Sequence, residues 1–179
     1  MAEMQGASVA PAAWVQRWAA LVAARGRVLD VACGHGRHAR FFAARGHAVD
    51  AVDRNAAALE GIANLANVTP LCADIEADAW PYPACASSAV VVTNYLHRPL
   101  LPVLLDALAP GGVLIYETFA LGNERFGRPS NPDFLLQPGE LLELVRGRLR
   151  VVAYEDLVVE APRAACVQRV VAVYATKGD

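Results

Sequence analysis

The chain has 179 residues, of which 55% are hydrophobic and 19% are charged, and its formal net charge is −2. This length and composition predict one globular domain with its own core and exclude a disordered chain. The small negative charge argues against a dedicated nucleic-acid binder, which usually carries a strong basic excess. No apolar run reaches the roughly 18 residues of a membrane span, and no signal peptide is expected.

The sequence alternates short apolar runs, typical of buried strands, with segments of helical periodicity. Predicted strands cover residues 27–33, 47–53, 67–74, 88–96, 112–120, 150–160 and 164–176. Predicted helices cover residues 11–24, about 38–45, 55–65, 99–108 and 138–145. This alternation indicates an α/β fold with a mostly parallel sheet. The short link between the last two strands predicts a hairpin, so one of them should run antiparallel.

The four cysteines, Cys33, Cys72, Cys85 and Cys166, form no CxxC pair and no cluster with zinc-site spacing. We therefore expect free thiols in a reducing, cytoplasmic setting, and no metal site. Cys33 is predicted to be a packing thiol rather than a nucleophile, because no basic partner is fixed beside it.

The strongest local pattern is the segment VLDVACGHG at residues 28–36, a buried strand that enters a glycine turn before a helix. Gly34 and Gly36 let the backbone bend sharply and let a ligand approach the main chain. The helix N terminus supplies free N–H groups. Asp53 ends the next strand, where an acid can accept hydrogen bonds from both ribose hydroxyls. Together these features predict an adenosine-containing ligand at the carboxyl ends of the strands.

The glycine pattern alone has two interpretations. Gly34, Gly36 and Ala39 also satisfy a G-x-G-x-x-A dinucleotide fingerprint, which is weak by itself. Asp30, just before the glycines, can face a ligand ammonium group but would repel a pyrophosphate. Asp74 ends the third strand, where a carboxylate can accept a hydrogen bond from an adenine amino group.

The segments VLDVACGHGR, AVDRN, CADIE, VVVTNYL and LAPGGVLIYET resemble, in order and spacing, the class I S-adenosylmethionine-dependent methyltransferases over residues 27–120. The chain is most similar to small bacterial methyltransferases of the tellurite-resistance type. The resemblance implies a Rossmann-like α/β fold, with a seven-stranded, mostly parallel sheet in the order 3-2-1-4-5-7-6, strand 7 antiparallel and helices on both faces. The chain would form a single domain, with a capping helix in residues 1–25 and a lid-like loop at 121–138.

The resemblance also implies a set of contacts with S-adenosylmethionine. The methionine part would lie against Asp30, Ala32, Cys33, Gly34 and Gly36, and the ribose against Asp53. The adenine would contact Arg54, Asp74 and Ile75. The transferable methyl group would lie beside Asn94, Tyr95 and Leu96. No Asn-Pro-Pro-Tyr signature follows the fourth strand, which removes the usual reason to expect methylation of nucleobase or glutamine amino groups.

Three residues near the predicted acceptor position are candidate catalytic residues. His97 is either a general base near neutral pH or an ordinary loop histidine bonded to backbone. Tyr95 is expected to be a wall of the pocket rather than an acid. Glu117, at the end of the fifth strand, either orients a substrate amine or hydroxyl or is a solvated acid.

The 121–138 loop and the first helix each allow two interpretations. Arg125 and Arg128 lie in the 121–138 loop, which is either a lid that grips an anionic group or a solvated crossover. Trp14 and Trp18 share one helix face, and packing onto the sheet is favoured over covering a cofactor.

These features predict methyl transfer from S-adenosylmethionine to a small-molecule acceptor, with no nucleic-acid or membrane partner. In-line methyl transfer requires the nucleophile, the methyl group and the sulfur to be nearly collinear. An acid or base is needed only when the acceptor must lose a proton. The alternatives are an NAD-dependent oxidoreductase and a non-catalytic S-adenosylmethionine-binding module. The acceptor atom and the oligomeric state stay open.

Overall fold

The computed structural model describes residues 10–175, and they contain one seven-stranded sheet. Its strands are β1 (Val28–Val31), β2 (Val49–Asp53), β3 (Val68–Cys72), β4 (Ser87–Thr93), β5 (Leu108–Phe119), β6 (Arg150–Val159) and β7 (Ala165–Val173). They lie in the order β3-β2-β1-β4-β5-β7-β6, and the pairs from β3 to β5 are parallel. Strand β7 runs antiparallel to both of its neighbours. The predicted fold, sheet order and antiparallel strand are confirmed.

The helices are shorter than the sequence predicts. They are α1 (Ala13–Trp18), α2 (Arg37–Ala43), α3 (Ala56–Glu60), α4 (Leu101–Asp106) and α5 (Glu140–Val145). Helix α1 continues as a 3₁₀ turn over Ala19–Leu21, and another 3₁₀ turn over Arg98–Leu100 precedes α4. Helix α3 stops before Gly61 because glycine is a poor helix former. Of the predicted cap at 1–25, residues 1–9 lie outside the described residues.

The start of β5 corrects a predicted boundary. The sequence places the end of a helix at Leu108 and a turn over the following Pro-Gly-Gly, whereas the structure includes these residues in the strand. Ser87 pairs with Leu108 and Ala89 with Val113, so β5 bulges between these two pairs. Gly111 has a φ of +77°, which a bulge residue without a Cβ tolerates.

The sheet separates two apolar layers, because successive strand residues point to opposite faces. Val90 and Val92 of β4 join the layer that contains α4 and α5. Val91, in between, joins the layer that contains α1 and α2. Strands buried on both faces explain the continuous apolar runs in the sequence.

Trp14 is buried in the second layer, and its indole N–H donates to the carbonyl of Val170 at 3.4 Å. Trp18 meets the Trp14 ring edge-on, with centroids 5.7 Å apart. This geometry agrees with packing onto the sheet. Between residues 10 and 175, no helix is long and apolar enough to cross a membrane.

Candidate active site

A cavity of about 400 Å³ opens at the carboxyl ends of the parallel strands. Its lining residues lie at or just after the ends of β1 to β5, or belong to the loop after β5: Ala32, Asp53, Arg54, Ala73, Asp74, Ile75, Glu76, Asn94, Tyr95, Leu96, Thr118, Phe119, Pro129 and Phe134. The volume is in the range of small-molecule sites. The cavity spans the place where the strand order reverses between β1 and β4, which is where open α/β sheets bind ligands.

Two non-glycine residues with left-handed backbones shape the centre of the cavity. Ala32 follows β1 with a φ of +50°, and Asn94 follows the neighbouring β4 with a φ of +55°. A left-handed alanine is strained by roughly 1–2 kcal/mol. Gly36 also has a positive φ, and a Cβ there would come within 2.6 Å of the Ile62 side chain. The glycine is therefore needed both for the turn and for close packing against Ile62.

Asp53 connects the glycine loop to the end of β2. Its Oδ2 accepts the N–H of Gly34 at 2.8 Å, and its Oδ1 accepts the N–H of Asn55 at 2.8 Å. Each carboxylate oxygen keeps a further lone pair for a ligand hydroxyl. Asp74 holds the next turn in the same way, since its Oδ1 accepts the N–H of Glu76 at 3.1 Å.

Asp30 is almost fully buried beneath the glycine loop and is not among the cavity-lining residues. Its Oδ2 accepts the N–H of Ala39 at 2.9 Å, inside α2. Burial raises the pKa of Asp30 to about 7. Because side chains alternate along β1, Asp30 faces α2. The structure thus gives Asp30 a partner other than the predicted ligand ammonium group.

His38 lies next to Asp30, with Nδ1 4.0 Å from Oδ1 of the acid. Its Nε2 accepts the N–H of Ala12 at 3.1 Å, just before α1. Burial, followed by the charge of Arg37, lowers the pKa of His38 to about 3. A neutral imidazole with its proton on Nδ1 therefore connects α1 to the buried acid.

Most predicted cofactor residues meet at the cavity, and the exceptions belong to the glycine loop and β1. The residues that line it are Ala32, Asp53, Arg54, Asp74, Ile75, Asn94, Tyr95 and Leu96, whereas Asp30, Cys33, Gly34 and Gly36 do not. Cys33 is buried, and burial raises the pKa of its thiol far above the usual range, which agrees with a packing role. Among residues 10–175, no group of three or more His, Cys, Asp or Glu side chains is arranged to hold a metal.

Tyr95, Glu76 and His97 form a polar cluster beside the cavity. The Tyr95 hydroxyl is buried and has no hydrogen-bond partner among the described residues. Burial, and then the nearby Glu76 carboxylate, raise the pKa of this hydroxyl. His97 does not line the cavity, but its Nδ1 lies 3.8 Å from Oε2 of Glu76, which does. The sequence reasoning missed Glu76, although its place two residues after Asp74, at the end of the segment CADIE, was an available signal.

Glu117 does not reach the cavity. Its Oε2 accepts Nη1 of Arg169 at 3.0 Å, and Arg169 also pairs with Glu155. The next residue, Thr118, lines the cavity instead. Glu117 and Thr118 are neighbours in β5, so their side chains point to opposite faces of the sheet, and that of Glu117 points to Arg169. The substrate-orienting alternative for Glu117 therefore has no geometric support.

The 121–138 loop reaches the cavity through Pro129 and Phe134, and its two arginines do not line it. Arg125 donates from Nε to the carbonyl of Gly122 at 3.0 Å and from Nη2 to the Cys166 sulfur at 3.5 Å. Arg128 is exposed. The contact that this loop makes with the cavity is therefore apolar, in contrast to the predicted grip on an anion.

Comparison with known proteins places this geometry in a family. Residues 28–112 match the family described as a methyltransferase domain. Over these residues the chain matches a methyltransferase domain, and its sheet is the Rossmann-like methyltransferase fold. No curated protein matches the chain significantly.

Solved structures share the fold of this methyltransferase domain at low sequence identity. TehB from Haemophilus influenzae is 19% identical with a TM-score of 0.70, and the match covers 89% of this chain and 60% of TehB. This chain therefore spans about three-fifths of the length of TehB. A TehB-like methyltransferase from Corynebacterium glutamicum is 16% identical with a TM-score of 0.65, covering 90% of this chain and 86% of that one.

A third similar structure contains ligands. It is the 1,6-didemethyltoxoflavin-N1-methyltransferase from Burkholderia thailandensis with bound 1,6-didemethyltoxoflavin and S-adenosylhomocysteine. It is 18% identical with a TM-score of 0.64, and the match covers 92% of this chain and 79% of that one. At these identities the three structures share the fold with this domain.

The lining of the methyltransferase domain fits S-adenosylmethionine chemically. Asp53 and Asp74 present carboxylate oxygens to the cavity, and such oxygens can accept hydrogen bonds from hydroxyl and amino groups like those of an adenosine. Tyr95 also lines the cavity, and its buried hydroxyl lies beside the Glu76 carboxylate.

Proposed function

We propose that the chain transfers a methyl group from S-adenosylmethionine to a small-molecule acceptor. The observation that carries this proposal is the single cavity that runs from the acids after β2 and β3 to apolar residues after β5. With neighbouring strands about 4.8 Å apart, these two ends are separated far enough for a cofactor and an acceptor to lie side by side.

The polar end of the cavity is assigned to the cofactor. Asp53 binds the ribose hydroxyls, Arg54 flanks the adenine, and Asp74 and Ile75 hold it. Ala32, which lines the cavity after β1, faces the methionine part. Asp30 acts as a positioning residue, because its carboxyl holds α2 and the glycine loop from below.

The centre of the cavity is assigned to the reaction. When bound, the cofactor supplies an electrophilic methyl group on a sulfonium, and the lining aligns the acceptor with it. The Tyr116 hydroxyl donates to the carbonyl of Tyr95 at 2.8 Å and so holds the Tyr95 backbone in place at the cavity. For an acceptor that must lose a proton, Glu76 receives it, and His97 supports that carboxylate.

A small molecule fits this site better than a macromolecule. Arg54 is the one arginine or lysine among the lining residues, so the described part of the cavity offers no basic surface for a phosphate backbone. The Burkholderia relative, whose structure contains a small heterocycle, supports the same class of acceptor.

Calorimetric titration tests the cofactor assignment. We expect the purified protein to bind S-adenosylmethionine and S-adenosylhomocysteine, and not NAD. Asp53→Ala should weaken S-adenosylhomocysteine binding about a hundredfold, since hydrogen bonds to a charged group contribute roughly 1.5–3 kcal/mol each. Asp50→Ala is the matched control, because Asp50 lies in the same strand but pairs with Arg27.

The two alternatives predict other outcomes. Binding of NAD alone would support the oxidoreductase, which the methyltransferase-domain match leaves without support. Cofactor binding without methyl turnover across a panel of small acceptors would support the non-catalytic module. Unchanged cofactor affinity in Asp53→Ala would contradict the assigned orientation.

A further inference from the structure

We propose that the acceptor end of the cavity binds an uncharged aromatic ring and that Phe134 selects for it; this inference rests on the proposed function. Phe134 lines the cavity, yet 54% of its surface is exposed, the largest fraction among the large hydrophobic side chains of the described residues. An aromatic ring exposed toward a cavity gains apolar contact only when a ligand covers it.

The neighbours of Phe134 in the lining have matching chemistry. Phe119 ends β5, Pro129 belongs to the same loop as Phe134, and Leu96 follows β4. Aromatic and proline rings present flat apolar faces, against which a planar ring packs with a large contact area. Among the acids of the lining, Asp53 and Asp74 lie at the opposite end, whereas Glu76 approaches Tyr95 and His97 after β4.

The loop residues that form this wall are held in place before any ligand arrives. Arg98 donates from Nη1 to the carbonyl of Asp133 at 2.8 Å and from Nη2 to that of Leu135 at 2.9 Å, on either side of Phe134. The buried Asn123 donates to the carbonyl of Pro129 at 2.9 Å. Binding to a wall that is already ordered loses little conformational entropy.

The charges near this wall are engaged elsewhere. Arg98 forms an ion pair with Glu140, with Nε 2.7 Å from Oε1. Arg163 lies 6.0 Å from the centre of the Phe119 ring and donates to the carbonyl of Arg128 at 3.1 Å, but it does not line the cavity. A charged acceptor would therefore lose water at this end without gaining a paired charge.

Three probes of one shape test the inference: 2-naphthol, 2-naphthoate and 2-naphthylmethylamine, titrated against the full chain with and without saturating S-adenosylhomocysteine. We expect 2-naphthol to bind at least tenfold more tightly than either charged probe. Phe134→Ala should weaken 2-naphthol binding about tenfold, and Phe134→Leu by less, because it keeps apolar area but loses the ring. Thermal unfolding should be unchanged in both variants.

Phe126→Ala is the matched control, since Phe126 is an exposed aromatic residue of the same loop that does not line the cavity. It should leave 2-naphthol binding unchanged. Equal affinities for the three probes, no binding of 2-naphthol, or an unaffected Phe134→Ala variant would each overturn the inference. Failure of S-adenosylhomocysteine to bind would instead contradict the proposed function, and it is measured separately.

Discussion

The two halves of the cavity are built by different kinds of contact. The polar half, formed by the ends of β1, β2 and β3, is held by carboxylates that accept backbone N–H groups. Asp53 accepts from Asn55, two residues away, and from Gly34, 19 residues away in the adjacent glycine loop. The apolar half, formed by the end of β5 and the 121–138 loop, is held by side chains from distant positions. Arg98 reaches carbonyls 35 and 37 residues away, and Asn123 bonds Cys166, 43 residues away.

This difference indicates that residues in one half of the cavity can be substituted without disturbing the other half. A local turn depends on a few neighbouring residues, whereas the apolar wall depends on whether distant elements are packed correctly. Substitutions in one half should therefore leave the ligand affinity of the other nearly unchanged, as expected for sites without shared partners.

The largest expected effect concerns Asp30, beneath the polar half. Its pKa is raised to about 7 in the folded protein, so between about pH 4 and 7 the folded state keeps a proton that the unfolded state has lost. This group's contribution to the free energy of unfolding should therefore fall as pH rises, by roughly 2–4 kcal/mol. Urea unfolding across this range measures it, and Asp30→Asn should remove it.

Asp78→Asn is the control for that experiment, because Asp78 is exposed. It should keep the pH dependence of the original protein. A pH dependence that is the same with and without Asp30 would contradict the expectation.

The next effect concerns Asn123, in the apolar half. Its Oδ1 accepts the buried N–H of Cys166 at 3.2 Å, so Asn123→Ala leaves that donor unpaired. We expect a loss of about 2 kcal/mol in the free energy of unfolding, measured by urea unfolding. Asn131→Ala removes a cap on an exposed 3₁₀ turn and should cost less than about 1 kcal/mol. Equal losses of unfolding free energy in the two variants would argue against Asn123 as a buried anchor for Cys166.

A smaller effect should come from Arg98→Lys. A lysine keeps the charge but lacks the guanidinium fork that bonds two carbonyls and Glu140 together. Binding of 2-naphthol should weaken about fivefold, while the affinity for S-adenosylhomocysteine should not change. Arg146→Lys alters an exposed ion pair with Glu143 and provides the comparison. Equal weakening of both ligands would show that the halves are coupled.

The smallest expected effect is a gain in stability from Ala32→Gly. Glycine relieves the left-handed strain at this position but adds freedom to the unfolded chain, so the net gain should be below about 1 kcal/mol. Denaturant unfolding measures it. Ala51→Gly, in the middle of β2, should destabilise instead, and a loss of stability in both variants would contradict strain at Ala32.

The polar half was largely predictable from the sequence. Asp53 and Asp74 each end an apolar run, and the carboxyl ends of parallel strands meet at one edge of the sheet. Their presence in the lining follows from that rule. Glu76 closes the segment CADIE, but the sequence reasoning gave a role only to Asp74 and Ile75 of that segment.

The apolar half was not predictable to the same degree. Arg125 and Arg128 stand out in a polar loop, but the structure turns Arg125 toward Gly122 and Cys166 and leaves the cavity to Pro129 and Phe134. Which loop residues face inward depends on anchors outside the loop, such as Arg98, and spacing within the loop carries no information about them.

Strand periodicity and turn chemistry determined the alternation of strands and helices, the closing hairpin and the position of the glycine loop, because these are local properties. The resemblance to class I methyltransferases supplied the sheet order and the antiparallel strand 7. Tertiary structure alone decided that Asp30 faces α2, that Glu117 pairs with Arg169 and that His97 stands behind Glu76. The first two depend on the face of the sheet to which a strand side chain points, and the third on how the loops after β3 and β4 pack together. A shift of one residue in strand register reverses that face, and only packing in three dimensions fixes it.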